Sequence, residues 1–126
     1  MSEFLILKNI QLGQNSFGVE SIYSTLNFSF YCASGIKKHF VNLSLADSFF
    51  LKDLIEAGKI SNTALAKSGV DKLENLENTG RLFPYQYQMF CFDDCDNQYL
   101  IIFSVIDYRD TYSFIIYGVL QLRVPV

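Results

Sequence analysis

The chain has 126 residues, half of them apolar and 16% aromatic, with 12 Phe, 8 Tyr and no Trp. This composition excludes a disordered chain and suits a single domain, residues 1–126, with its own core. The net charge is −3 and the only adjacent basic pair is Lys37–Lys38, which argues against the basic stripe that a nucleic-acid binder needs to displace counterions from phosphates.

The first apolar run, Phe4-Leu5-Ile6-Leu7 within residues 3–12, predicts a strand, and Gly13, Gln14, Asn15 and Ser16 supply turn chemistry after it. Residues 21–33 alternate cleanly. Ile22, Leu26, Phe28, Phe30 and Cys32 share one face, while Ser21, Thr25, Asn27 and Ser29 share the other. A period of two over this length means a strand with one wet face. A turn at Ser34-Gly35 and a return over residues 36–45, with Val41, Leu43 and Leu45 in phase, complete a hairpin.

After Leu45 the period lengthens. Phe50, Leu54 and Ala57, widened by Leu51 and Ile55, form a helical stripe over residues 46–58, with Ser44 or Asp47 as the expected cap and Gly58 as the stop. A short second helix is expected at 61–68, ended by Gly69, and a third at 71–78, with Leu73 and Leu76 inward and Gly80 at its end.

Phe83-Pro84 then returns the chain to strands: 85–92 alternating, 99–106 apolar on both faces, and 111–124 with apolar even-numbered positions and a bulge signalled by Gly118. The expected fold is α+β, a mostly antiparallel bent sheet in the order βββ-α(αα)-βββ, packed on one main helix and one or two short ones.

The search for reactive chemistry finds little. His39 is the single histidine, expected on the polar side of its strand. Together with Cys32, Cys91 and Cys95 it makes a tetrahedral ligand count without supporting spacing, so no metal is expected. The cysteines read as free thiols of a reducing compartment, Cys32 and Cys91 as small buried apolar groups and Cys95 within a polar turn. The seven glycines are scattered, so no phosphate cradle is formed. Asp94 and Asp96 begin like a calcium loop, but Tyr99 stands at the position of the required glycine and Val105 at that of the closing glutamate. No cofactor and no enzymatic activity are expected. The absence of an apolar run of about 20 residues and of an export pattern makes the expected location cytoplasmic, without a membrane partner.

What remains is charge and aromatic surface. Up to Val70 the charge balance is +1, and from Asp71 onward it is −4. Asp93, Asp94, Asp96, Asp107 and Asp110 fall in the two turns of the last three strands, with Tyr108 beside them, and form the expected partner-binding set. A negative surface steers a basic protein partner. By general profile the expected class is a non-enzymatic inhibitor, first of all a bacterial immunity (antitoxin) protein occluding the active site of a basic toxin. The alternatives are a phage anti-defence inhibitor or a self-associating scaffold module, and then a small-molecule binder or an enzyme without a recognisable motif.

Overall fold

The computed structural model describes residues 3–32, 35–70, 84–92, 95–108 and 111–123, with backbone alone for 95, 96 and 108. The expected helix at 71–78 lies outside these residues. Five strands precede two helices: β1 (Leu5–Asn9), β2 (Ser16–Val19), β3 (Leu26–Tyr31), β4 (Lys38–Leu43), β5 (Phe49–Phe50), α1 (Leu51–Glu56) and α2 (Asn62–Lys67). Three long strands follow: β6 (Gln86–Phe92), β7 (Cys95–Tyr108) and β8 (Thr111–Arg123). The chain is thus sheet-rich with short helices. None of the helices among the described residues is long and apolar enough to cross a membrane.

The single bent sheet expected from the periodicity is instead two sheets. One is six-stranded and antiparallel, in the order β1-β8-β7-β6-β5, with β2 pairing the other half of β8; the other is the β3–β4 hairpin. The reason lies in β7. Tyr99, Ile101, Phe103 and Val105 point to one face and Leu100 and Ile102 to the other, all fully buried. A strand that is apolar on both faces needs cover on both. The hairpin supplies it on one side through Leu26, Phe28, Phe30, Val41 and Leu43. The helical segment supplies it on the other through Leu51, Leu54, Ile60, Leu65 and Val70. Each fully buried side chain of this kind contributes about 1.5–3 kcal/mol relative to exposure.

β8 serves both layers by changing phase. Ile102 pairs with Gly118 and Phe103 with Ile116, so Tyr117 is the extra residue of a bulge. Phe114 and Ile116 face the hairpin, whereas past the bulge Leu120 and Leu122 face the helices. The even-numbered apolar run seen in the sequence therefore feeds two cores. Tyr117 turns to the helical side, where its hydroxyl bonds the buried Ser104 Oγ at 2.9 Å.

Several local expectations are corrected. Ser16, expected in a turn, and residues 17–19, which carry no expected element, form β2, while Ser21 and Ser24 close a turn through Ser24 N–H donating to Ser21 O at 3.1 Å. The strand expected over 21–33 therefore starts only at Leu26. α1 starts at Leu51, and its N-cap Phe50 makes no side-chain bond. Ser44 and Asp47 instead bond each other, Ser44 Oγ donating to Asp47 Oδ2 at 2.9 Å. Gly58 and Gly69 do take the left-handed conformation at φ 74° and 83°, and Ser61 caps α2 by accepting from Ala64 N–H at 3.1 Å. Cys95, expected in a turn, opens β7.

Candidate functional site

The β3–β4 hairpin has two chemically different faces because its residues alternate. The turn is closed by Cys32 N–H donating to Lys37 O at 2.7 Å and Gly35 N–H to Cys32 O at 2.8 Å, with Gly35 at φ 77°. Cross-strand pairs then run Tyr31 with Lys38, Phe30 with His39, Ser29 with Phe40, Phe28 with Val41 and Asn27 with Asn42. The even members of β3 and odd members of β4 go inward.

His39 therefore goes inward too, against expectation, because it shares the parity of Val41 and Leu43. It is 4% exposed. Its ring stacks on Phe92 at 3.9 Å between centroids and 9° between planes, with Phe30 and Tyr99 alongside. Its Nε2 has no hydrogen-bond partner.

Outward lie Asn27, Ser29, Tyr31, Lys38, Phe40 and Asn42. Phe40 is 74% exposed, Tyr31 54% and Ile36, in the turn, 82%. The Lys38 ammonium stands 5.8 Å above the Tyr31 ring and 5.7 Å from the Phe40 ring, within cation–π range of both. One cation thus joins two exposed aromatic rings from adjacent strands into a cluster flanked by neutral amides and a hydroxyl.

The hairpin is fixed over β6. Ser44 N–H donates to Gln88 Oε1 at 2.9 Å, and Ser48 Oγ donates to Gln86 Oε1 at 2.7 Å, both glutamines being buried. On the far side, Phe17 of β2 meets Phe28 edge-on at 5.5 Å. Hence β4 overlies the β6 side of the sheet and β3 the β2 side. Between the hairpin and β6 runs a groove of about 730 Å³ lined by uncharged residues, among them Phe40, Val41, Phe90 and Phe92. β5 pairs β6 at Gln86 and Tyr87 alone, so residues 88–92 have no strand neighbour on that side among the described residues. Cys91, expected to be buried, is exposed there. Tyr87, where β5 and β6 meet, has its phenol pKa raised above 10.0, first by burial and then by the Asp53 carboxylate.

A second concavity of about 300 Å³ lies where β8 bulges. The chain between β1 and β2 leaves the sheet there, and Asn9, Gln11, Asn15 and Gly118 contribute to the lining.

Of the acidic set from the sequence, Asp96 and Asp107 alone lie among the described residues. Asp93, Asp94 and Asp110 lie outside the described residues. Asp96 and Tyr108 stand near opposite ends of β7, and Asp107, half-buried, pairs with Tyr112 next to Tyr108. β7 has 14 residues, so its two ends are roughly 40 Å apart along the strand. Asp96 thus stands apart from Asp107 and Tyr108. The cluster it does assemble, Tyr31, Lys38 and Phe40, was signalled only by aromatic residues out of phase with the apolar face. Comparison of the chain with protein-family models, with curated proteins and with solved structures finds no match to any of them.

Proposed function

We propose that this chain acts by binding another protein, as a non-enzymatic inhibitor that masks a basic partner in the cytoplasm in the manner of a bacterial immunity protein. The observation that supports this reading is the Tyr31–Lys38–Phe40 cluster, exposed on a hairpin whose inner face is anchored by a packed core. Tyr and Phe are enriched at protein interfaces because they offer large contact area at little entropic cost. Neutral Asn and Ser beside them supply adaptable hydrogen bonding. A rigid two-stranded presentation limits the ordering cost of binding. The −4 balance from residue 71 onward adds long-range attraction for a basic partner, a rate effect separate from the contact itself.

The test starts from binding between the full chain and the protein products of adjacent reading frames. With a binding partner in hand, Tyr31→Ala and Ile36→Asp are each expected to weaken affinity by roughly 30-fold or more, as central aromatic and apolar contacts do. Reversal of Asp93, Asp94 and Asp96 to Lys is expected to slow association and flatten its salt dependence. An affinity unmoved by Tyr31→Ala and Ile36→Asp rules out the hairpin face as the contact. Unchanged association kinetics on charge reversal rule out the acidic contribution.

A further inference from the structure

We infer that the edge of β6 left without a strand partner among the described residues, 88–92, is a self-pairing site: a second copy of the chain adds its own β6 antiparallel to it, about a two-fold axis through Phe90. The inference uses a different surface from the Tyr31 and Ile36 contact proposed above.

The backbone geometry leads to this arrangement. Leu51 N–H donates to Tyr85 O at 3.0 Å, so the main-chain groups of Tyr85 point to the β5 side. In an antiparallel strand these groups alternate in direction. Those of Tyr87 therefore meet β5, and those of Met89 and Cys91 point out along the open edge. Met89 and Cys91 are symmetric about Phe90. Antiparallel pairing of two copies then sets Met89 opposite Cys91 of the copy as a hydrogen-bonded pair, and Phe90 opposite Phe90 as the close, non-hydrogen-bonded pair. Gln88 falls opposite Phe92. The pairing ends where β5 takes over, at Tyr87.

Charge and shape select a copy as the occupant. The stretch Gln88, Met89, Phe90, Cys91, Phe92 has no charge and no proline, two of the devices that normally keep an edge from pairing, and its ladder with β7 shifts register only at its end, between Cys91 and Phe92. Within this stretch a copy therefore meets no like charge. The groove above it is lined by uncharged side chains, including Phe90 and Phe92 on the floor and Phe40 and Val41 on the wall. Two-fold pairing brings the copy's Phe90 and Phe92 beside these same residues, so each copy helps fill the other's groove, as an isologous contact requires. The exposed Phe49 and Phe50 of β5 lie at the end of the paired stretch and gain cover from the copy. The edge is short, which places the dimer among the weak, concentration-dependent associations.

The test uses sedimentation velocity on the full chain from low micromolar to submillimolar concentration, under reducing conditions. A monomer–dimer equilibrium is expected. Cys91→Pro removes an outward N–H that the β6–β7 ladder does not use, and Cys91→Lys sets like charges on the diagonal across the axis. Each is expected to raise the dimer dissociation constant roughly tenfold or more, with circular dichroism and melting checking that the monomer is folded. Cys91→Lys decides the matter if Cys91→Pro does not fold. On a Cys95→Ser background, the two Cys91 thiols lie on that diagonal, roughly 7–8 Å apart, and a bismaleimide of matching reach is expected to link them. A chain that stays monomeric throughout, or a dimer whose affinity is unchanged in folded Cys91→Lys, overturns the inference. A chain that dimerises through Cys91 yet binds no partner at Tyr31 and Ile36 supports it while removing the proposed function.

Discussion

The two edges of the six-stranded sheet are built in opposite ways. On the β8 side the edge is split between β1 and β2, two short strands, with a register shift between Ile6 and Lys8 and a lysine at the shift. Ile10 N–H donates to Val119 O and Ile116 N–H to Asn15 O, both at 2.8 Å, and the residues between leave the sheet. A lysine, an irregular ladder and a break in the strand are standard obstacles to further pairing. On the β6 side, β5 covers two residues, and the remainder is an uncharged run that keeps a regular register with β7 up to Cys91 and shifts between Cys91 and Phe92. One edge ends the sheet; the other invites continuation. Among the described residues the β6 edge carries fewer of these obstacles than the β8 edge, a difference that fits its use as a contact.

The largest expected effect tests why the β1/β2 edge is split. A Cβ at Gly118 would sit 3.2 Å from Val70 Cγ2 and 3.7 Å from Leu120 Cδ2, because the bulge of β8 presses its backbone against the end of the helical segment. Gly118→Val is expected to destabilise by about 2 kcal/mol through overpacking, read as a lower urea midpoint at unchanged slope. Gly13, in the segment that leaves the sheet, has nothing within 4 Å of its Cβ position. Gly13→Ala is expected to stay within about 0.5 kcal/mol of the native chain. Equal effects at the two positions would mean that the bulge is not a packed feature.

The same contrast explains which parts were legible in the sequence. The hairpin was, because Leu26, Phe28 and Phe30 against Val41 and Leu43 follow a strict period of two. So was the central place of β7, from a run that is apolar on both faces. β2 was not, since Ser16-Phe17-Gly18-Val19 has weak strand preference and is a strand only through pairing with β8. β5 was hidden because Phe50 also fits the helical stripe, yet Phe49 and Phe50 pair with β6, and Leu51, the first helical residue, gives its N–H to Tyr85 O. Strand order is not encoded in periodicity, so neither the separation into two sheets nor the unpaired stretch of β6 was visible. For the site, residue type misled: His39 was placed outward for its polarity although its position in the alternation put it inward. Tyr31 and Phe40 carry the opposite signal, aromatic side chains whose positions in the alternation put them in water.

His39 offers a smaller test, on the β6 side. It holds the hairpin to Phe92 by ring stacking, while its Nε2 is buried without a partner. A buried unsatisfied polar atom costs about 1–3 kcal/mol, and replacement by an apolar group of similar shape removes that cost. His39→Phe is expected to raise stability by about 1 kcal/mol, measured by denaturant unfolding. A loss of stability would mean that Nε2 has a bonding role in the folded chain. It would also mean that the hairpin is held over the open edge by more than packing.

The smallest effect concerns the junction at which the covered part of β6 gives way to the free part. Burial, and then the Asp53 carboxylate, raise the Tyr87 phenol pKa above its ordinary 10.0, so the folded chain holds this proton more tightly than the unfolded one. Stability depends on pH through the difference in bound protons. Below pH 10 both states keep the proton, and the contribution is fully present. As pH rises from there through the folded-state value, the unfolded state loses its proton first and the contribution is lost. Tyr87 is half-buried and pairs with Phe49, so solvent screening keeps the effect small. Other tyrosines titrate in the same range, and the comparison with Tyr87→Phe isolates this one. The melting temperature of the native chain is expected to fall more steeply than that of Tyr87→Phe between pH 9 and about 11, with parallel behaviour below. Identical alkaline slopes would place Tyr87 in open water, and with it the point at which β5 stops shielding the edge.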